Sequence, residues 1–390
     1  MTDSQVVQLI ASTRQELLKR AGEANKLHVL FGFDAFIDQV SDLVDKRLDF
    51  ESFTRVETIR GFGQKIMDAA GLSTSLEHVP RYVKIGGSAV STGLAMGRLG
   101  CKFTYIGCIG YPAVNPVFED FAASAAAYYN IANPGQTLAL EFQDGKIMLC
   151  NTSPLKEITW DRIVSEVGKD KLKELIQHSR LVATINWTMI PEMNNIWKKL
   201  QSEILPEITF DDGELRLFFM DPIDPEKRTG EDWREAMEIF ARFSSHYRTI
   251  LSINRKEATE VAKAYGIKFS VPLNDVGLRD LTEAIADAMD LYGVVVHPVD
   301  GAGAVIDGEY YYAPGPYTSK PLLTTSGGDN FNGGFCLGLL LGLAPQQALV
   351  VGAATSGYFV RTGRSPSWDQ LVSFLACWER HAGEDFSDYE

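Results

Sequence analysis

The segment TTSGGDNFNGGF, residues 324–335, is the most informative part of this 390-residue sequence. It precedes an apolar run with helical spacing, so it predicts a loop that opens a helix. Small residues at Ser326, Gly327 and Gly328 allow the backbone to approach an anion, and amides at a helix N-terminus can hold its negative charge. Asp329, at the same helix start, could accept a proton from an attacking hydroxyl group. The alternative is that Asp329 caps a helix and the glycines form a simple turn.

A second glycine-rich segment, residues 86–100, has the sequence GGSAVSTGLAMGRLG. The pair Gly86-Gly87 predicts a turn whose backbone amides can meet substrate hydroxyl groups, and the small residues after it predict a helix. Gly93 and Gly97 are better explained by close packing of that helix against a sheet.

Outside these segments, short β-rich runs alternate with stretches of helical spacing. This alternation predicts parallel strands joined by crossover helices. Several of the runs are apolar at both odd and even positions, as expected for strands that helices cover on both faces. We therefore predict an α/β fold with a doubly wound, mostly parallel sheet. The predicted strands are residues 28–33, 103–107, 181–185, 215–220, 249–253 and 294–297.

Two regions break this alternation. Residues 39–60 mix polar and apolar side chains, and residues 133–151 contain two alternating runs around Asp144-Gly145, a pair typical of a β-hairpin turn. Neither run is apolar enough for the interior of the main sheet. We therefore predict a small β lid formed by the two regions. The α/β core is then formed by residues 1–38, 61–132 and 152–390.

The composition argues against several functional classes. A formal net charge of -14, from 37 Lys and Arg against 51 Asp and Glu, disfavours an extended nucleic-acid surface, because such surfaces are rich in cations. The cysteines form no C-x-x-C pair and the histidines no H-x-x-x-H pair, so we expect neither a disulfide framework nor a transition-metal site. The longest apolar stretch, residues 335–344, is much shorter than the ~20 residues of a membrane span. We expect a cytoplasmic protein that binds neither nucleic acid nor membranes.

Together, the two glycine-rich segments resemble the signatures of the ribokinase-like, or PfkB, carbohydrate kinases. Gly86, Gly87 and Gly100 have the spacing of the first signature, and Gly328-Asp329 belong to the second. The resemblance extends over most of the chain. It implies the family's three-layer α/β fold with a small β lid, and a kinase activity on a sugar or sugar-like substrate.

The resemblance also implies roles for individual residues. Asp329 corresponds to the catalytic base of the family, and Ser326, Gly327 and Gly328 correspond to its anion hole, with Ser326 at a position where glycine is usual. On the substrate side, Ser91 occupies a position where asparagine is common in the family. The substrate-binding residues that the resemblance implies are Asp38, Asp34, Gly86, Gly87 and Ser91.

An N-x-x-E element at Asn254 and Glu257 matches the element that the family associates with Mg²⁺ and the nucleotide phosphates. ATP and Mg²⁺ are therefore the implied cosubstrate and metal, with the metal held indirectly by these two residues. Asn254 and Glu257 also fit a capping box at a helix start, and both roles can coexist. Further nucleotide contacts are implied at His297, Gly301 and Gly303, with His297 in the region where a threonine is usual.

Other functions remain open from the sequence alone. ADP-dependent sugar kinases share this architecture and have an acidic element after the first strand that Asp34 and Asp38 resemble. A non-catalytic, sugar-sensing member of the fold is a further alternative, and the presence of Asp329 argues against it. A dinucleotide-dependent oxidoreductase is disfavoured, because GFDAFID follows the first strand where G-x-G-x-x-G would be needed. We also expect a homodimer through the lids, whose exposed edge strands need covering.

Overall fold

The computed structural model describes residues 1–210, 212–269 and 275–387. All six predicted strands are present, with ends shifted by at most two residues, because short apolar runs flanked by turns form buried strands. The strands are β1 (His28–Phe33), β2 (Phe36–Arg47), β3 (Phe53–Arg55), β4 (His78–Gly86), β5 (Lys102–Gly107), β6 (Ala127–Asn130), β7 (Gly135–Phe142), β8 (Gly145–Asn151), β9 (Leu181–Thr184), β10 (Leu217–Met220), β11 (Arg248–Ile253), β12 (Gly293–Val296), β13 (Gly301–Ile306) and β14 (Glu309–Pro314). The helices are α1 (Asp3–Lys19), α2 (Ile59–Asp68), α3 (Ser88–Arg98), α4 (Glu119–Ser124), α5 (Trp160–Val167), α6 (Lys169–His178), α7 (Met193–Lys199), α8 (Gly230–Ala241), α9 (Arg255–Tyr265), α10 (Asp275–Asp287), α11 (Gly327–Leu340), α12 (Pro345–Thr362) and α13 (Trp368–Arg380).

The larger of two sheets has nine strands in the order β14-β13-β12-β11-β10-β9-β1-β5-β6. Its pairs are parallel except β12 with β13 and β13 with β14. Strands β9 and β12 are buried at every position, as expected for a sheet with both faces covered. Helix α11 packs against α12 and α3, which places its N-terminus at the sheet edge. The predicted α/β fold with a mostly parallel sheet is confirmed.

The second sheet, called the small sheet below, has five strands. Its order is β3-β2-β7-β8, and β4 pairs with the first part of β2 while β3 pairs with the last part. The regions 39–60 and 133–151 both contribute to it, and so does β4, whose largely exposed sequence did not indicate membership. Helix α2 covers one face with a separate apolar core of Leu43, Val56, Phe62, Leu140 and Phe142. Strands β7 and β8 form the hairpin predicted around Asp144-Gly145.

Within the described residues, no helix has the length and apolar character needed to cross a membrane.

Candidate active site

Four polar residues directly follow parallel strands of the large sheet: Asp34 after β1, Asp221 after β10, Asn254 after β11 and His297 after β12. The carboxyl ends of these strands lie at one edge of the sheet, where open α/β proteins bind ligands. All four residues line a single cleft of about 340 Å³. The N-terminus of α11 lines the same cleft and brings Asp329 into it.

A second pocket of about 290 Å³ adjoins this cleft. The two share Asn254, His297 and Gly328 in their walls. The second pocket continues between the loop at residues 315–318 and helix α12, where its walls are mainly apolar. A ligand in the cleft and a ligand in the second pocket could therefore both contact Gly328.

The turn at the start of α11 presents backbone amides toward the cleft. Ser326 is the N-cap and has a left-handed conformation with φ of 69°, which favours glycine and explains why glycine is usual there. The Gly327 N–H donates to the Thr324 carbonyl at 3.1 Å. Gly328 and Asp329 lie in the first helical turn, where N–H groups have no partner within the helix. These two amides can face an anion, whereas the amide of Gly327, which was predicted to belong to the anion hole, is engaged by Thr324.

Asp329 is buried in this turn, with 8% of its surface exposed. Burial, together with the nearby charges of Asp34 and Glu257, raises the pKa of Asp329 to about 7, although hydrogen bonds from the hydroxyl groups of Ser326 and Ser88 act in the opposite direction. A carboxyl group with this pKa exchanges its proton near neutral pH, which suits a general base.

Asp34 is fully buried and held by hydrogen bonds on the core side of the cleft. Its carboxylate accepts the backbone N–H groups of Ser88 at 3.1 Å and Ala89 at 2.8 Å, and the Asn186 side-chain amide at 2.9 Å. Asp34 thus fixes the N-terminus of α3, an arrangement that the helix dipole favours. A substrate that contacts Asp34 would have to share its carboxylate with these three donors.

Asp38 lies on β2 in the small sheet, on the face that lines the cleft. The strand register places it between Lys84 on β4 and Thr137 on β7. Burial raises the pKa of Asp38, which the Thr137 hydroxyl and the lysines at positions 84 and 146 counteract. Gly86 leaves room for the carboxylate, because a Cβ atom there would lie 2.6 Å from Asp38 Oδ2.

The turn before α3 explains the two other predicted substrate-side residues. Gly87 has φ of 104°, and a side chain there would come within 2.7 Å of Ala35 Cα, so only glycine fits. Ser91 lies one turn into α3, with its Oγ 3.1 Å from Ser326 Oγ. Ser91 therefore links the substrate-side helix to the turn that carries Asp329.

Asn254 and Glu257 form the capping box that their spacing allows. The Asn254 side chain accepts the Glu257 N–H at 3.0 Å, and the Glu257 carboxylate accepts the Asn254 N–H at 2.8 Å. The same carboxylate also accepts the Asp224 N–H at 3.2 Å. Burial raises the pKa of Glu257 to about 7. Both residues line the cleft, so the cap leaves them next to any bound phosphate.

His297 forms the wall between the two pockets. Its ring stacks on Phe331 at 4.9 Å, and burial lowers its pKa to about 4, so the imidazole is neutral near pH 7. Of the two glycines predicted to contact nucleotide, Gly301 lines the second pocket. Gly303 lies two residues further along β13, paired with Val296, and a Cβ atom there would approach the Tyr310 ring.

Asp221 lies at a strand end, where the sequence predicts ligand-binding residues, and it lines the cleft. Asn332 donates to its carboxylate at 2.8 Å and accepts the Ser252 hydroxyl at 2.6 Å, so a buried chain of polar groups orients it. Burial raises the pKa of Asp221 well above its ordinary value, and Glu257 and Asp329 contribute. Its position directly after the apolar strand LFFM is the sequence signal that indicates a residue at this edge of the sheet.

Arg361 holds the outer wall of the second pocket. Its guanidinium donates to the carbonyl groups of Pro316 at 3.2 Å, Tyr317 at 2.6 Å and Gly357 at 2.8 Å, all three of which belong to residues lining that pocket. It also donates to Phe386 at 3.0 Å and so ties the C-terminal segment to the wall. Burial lowers the pKa of Arg361 to about 10, which still leaves it charged.

The sequence matches one family model and one curated relative over nearly its whole length. The family model described as prokaryotic ketohexokinase matches residues 2–378. The ketohexokinase of Haloferax volcanii is 32% identical over 376 residues, which cover 96% of each chain.

Solved structures with a similar fold include carbohydrate and nucleoside kinases. The ribokinase of Thermotoga maritima has a TM-score of 0.57 at 18% identity and covers 90% of this chain and 99% of its own. The ribokinase of Arabidopsis thaliana, solved with ribose and ATP, has a TM-score of 0.60 at 14% identity and covers 90% and 98%. At these identities the likeness shows a common fold.

Proposed function

Because this chain belongs to the prokaryotic ketohexokinase family, and is therefore a carbohydrate kinase, we propose that it transfers the terminal phosphoryl group of ATP to a hydroxyl group of a ketohexose, with Asp329 as the base. The predicted resemblance to the ribokinase-like carbohydrate kinases is confirmed by the same findings. The ketohexose acceptor is inferred from the Haloferax volcanii relative, which is a ketohexokinase. The ATP bound to the Arabidopsis thaliana ribokinase supports the choice of donor.

The observation that carries the proposal is the meeting of two pockets at the start of α11. The cleft would hold the acceptor, with Asp38 on one side and Asp329 on the other, and the second pocket would hold the nucleotide. Gly328 belongs to both walls, so the terminal phosphoryl group would lie between acceptor and donor as in-line transfer requires.

The reaction follows from this arrangement. The acceptor oxygen forms a bond to the terminal phosphorus while the bond from that phosphorus to the bridging oxygen breaks, and ADP leaves with the electron pair. The hydroxyl proton passes to the Asp329 carboxylate, whose raised pKa of about 7 allows it to receive a proton and release it again. The amides of Gly328 and Asp329 would stabilise the charge that develops on the phosphoryl oxygens.

The proposed metal is Mg²⁺, held through Asn254, Glu257 and the phosphates. Carboxylate and amide oxygens suit this ion, and Asn254 and Glu257 both line the cleft where the pockets meet. A cation beside Glu257 would also keep its carboxylate charged despite the raised pKa. When bound, the metal would neutralise charge on the phosphate oxygens.

A phosphoryl-transfer assay tests the proposal. Fructose, other ketohexoses, aldohexoses, ribose and nucleosides are each incubated with ATP or with ADP, and ³¹P NMR identifies the product. We expect a ketohexose phosphate with ATP and Mg²⁺, and none from Asp329→Asn, whose fold is checked by circular dichroism. Transfer from ADP but not from ATP would show that the donor is ADP. Transfer only to another class of acceptor would contradict the proposed ketohexose substrate. No transfer at all would favour the sugar-sensing alternative.

The same proposal includes a homodimer and a cytoplasmic location. The small sheet and its connections carry several exposed apolar side chains, and a second copy of the chain would cover them. A cytoplasmic location would give the proposed kinase access to ATP.

A further inference from the structure

The cleft is strongly acidic. Among the described residues that line the cleft or the second pocket, Lys84 is the only lysine or arginine. A nucleoside triphosphate would bring further negative charge into the same space, and phosphoryl transfer needs cations to offset it. The carboxylates in the cleft are Asp34, Asp38, Asp221, Asp224, Glu257 and Asp329.

The fold places Lys84 on the cleft face of the small sheet. Strand β4 pairs with β2 so that Lys84 lies opposite Asp38, and Thr137 and Cys150 continue the same row on β7 and β8. All four residues line the cleft. Lys84 is half-buried, and within the described part of the chain its ammonium group has no hydrogen-bond or ion-pair partner.

Lys146 is the other lysine near this face, and unlike Lys84 its ammonium group has partners. Its ammonium group lies 3.2 Å from Glu141 and 3.3 Å from the Thr325 hydroxyl. Because Thr325 immediately precedes Ser326, this contact brings the small sheet against the turn that carries Asp329. Burial and the charge of Lys146 lower the pKa of Lys84, and the charges of Asp38 and Glu141 partly offset this. An unpaired cation in this position is stabilised by an anion that binds beside it.

We propose that the Lys84 ammonium group contacts the phosphoryl group as it passes from donor to acceptor, which makes Lys84 a catalytic residue carried by the small sheet. This inference rests on the proposed function. The lysine stays protonated and exchanges no proton. It offsets the charge on the phosphoryl oxygens from the acceptor side, while the amides of Gly328 and Asp329 act from the other side.

Steady-state kinetics of three variants test this role. Lys84→Met removes the charge, Lys84→Arg keeps it, and Lys46→Met removes an exposed lysine of the same sheet as a matched control. We expect Lys84→Met to lower kcat about 100-fold or more, as when an anion-binding donor is lost, with little change in KM for either substrate. Lys84→Arg should retain much more activity than Lys84→Met, and Lys46→Met should match the parent.

Two further measurements separate the outcomes. Thermal unfolding shows whether each variant is folded, and Lys84→Gln replaces Lys84→Met if that variant is not. Calorimetric titration with the ketohexose shows whether acceptor binding survives. A raised acceptor Kd with unchanged kcat would make Lys84 an acceptor ligand and overturn the proposal, as would unchanged kinetics. Absence of transfer by the parent would instead overturn the proposed function, and the role of Lys84 with it.

Discussion

The burial of Asp329 determines how activity should depend on pH. Its pKa is raised to about 7, and only the deprotonated carboxylate can accept the proton of the acceptor. We therefore expect kcat/KM to rise with pH and to level off above about pH 7. A pH series of kcat/KM at saturating Mg²⁺ measures this, and a profile that is flat through neutrality would contradict the assignment of Asp329.

The Asp329→Asn variant provides a control that does not depend on turnover. A carboxyl group whose pKa is higher in the folded than in the unfolded chain stabilises the fold at low pH, and that contribution is lost as pH rises toward about 7. Asp329→Asn should therefore unfold at a higher temperature than the parent above pH 7, and the difference should shrink in acid. Equal unfolding temperatures at all pH values would mean that the carboxyl group is not buried as described.

The contact between Gly86 and Asp38 predicts a selective effect on the acceptor. In Gly86→Ala the new Cβ would lie 2.6 Å from the carboxylate and displace it. Since overpacking costs about 1–3 kcal/mol, we expect KM for the ketohexose to rise roughly tenfold or more. KM for ATP should stay close to the parent value. Gly63→Ala is the matched control, because a Cβ at Gly63 meets nothing within 4 Å.

The sequence predicted some cleft residues and could not predict others. Asp329 and Asp38 were identified because they lie in motifs whose neighbours constrain them. The three hydrogen bonds of Asp34 depend on Asn186 and on the start of α3, which are distant in sequence. Lys84 depends on the register between β4 and β2, which alternation of polar and apolar residues leaves open.

At the level of elements, Arg361 joins helix α12 to the loop that walls the second pocket. Arg361→Met would leave several buried carbonyl groups without a donor, and we expect it to lower the free energy of unfolding by about 2–4 kcal/mol. KM for ATP should also rise, with little effect on KM for the ketohexose. Chemical denaturation and steady-state kinetics measure the two effects. Arg364→Met, an exposed change three residues away, is the control, and an equal rise in both KM values would argue against a local role.

The elements differed in how well their sequences predicted them. The strands of the large sheet were found because they are apolar on both faces. Strand β4 was not predicted, because most of its residues are exposed and polar. It is held in a strand by its pairing with β2, which is distant in sequence. The separate core beneath α2 was also missed, because its five side chains come from segments nearly 100 residues apart.

At the level of the whole molecule, exposed apolar side chains on the small sheet predict a dimer. Phe50 is 96% exposed and Leu72 is 78% exposed, both in connections of the small sheet. Phe50→Asp should shift a parent dimer toward monomer in light scattering, because a charge replaces apolar contact. Leu18→Asp, on helix α1 of the core, is the control and should leave the mass unchanged. A parent that is monomeric at working concentration would contradict the dimer.

The architecture followed from the sequence more readily than the arrangement of its parts. Alternating strands and helices predicted the parallel sheet, and strand ends predicted where ligands would bind. The placement of the small sheet over the cleft depends on contacts such as Lys146 with Thr325, which no local pattern encodes.

Only Asp34 and Ala35 separate β1 in the core from β2 in the small sheet. Asp38 and Lys84 therefore belong to the small sheet, and the proposed donor pocket belongs to the core. A sugar that bridges the two bodies would complete the reactive arrangement, whereas ATP bound without a sugar would find half of it missing. On the proposed function, this division would limit wasteful hydrolysis of ATP, because a water molecule is too small to contact both bodies as a sugar can.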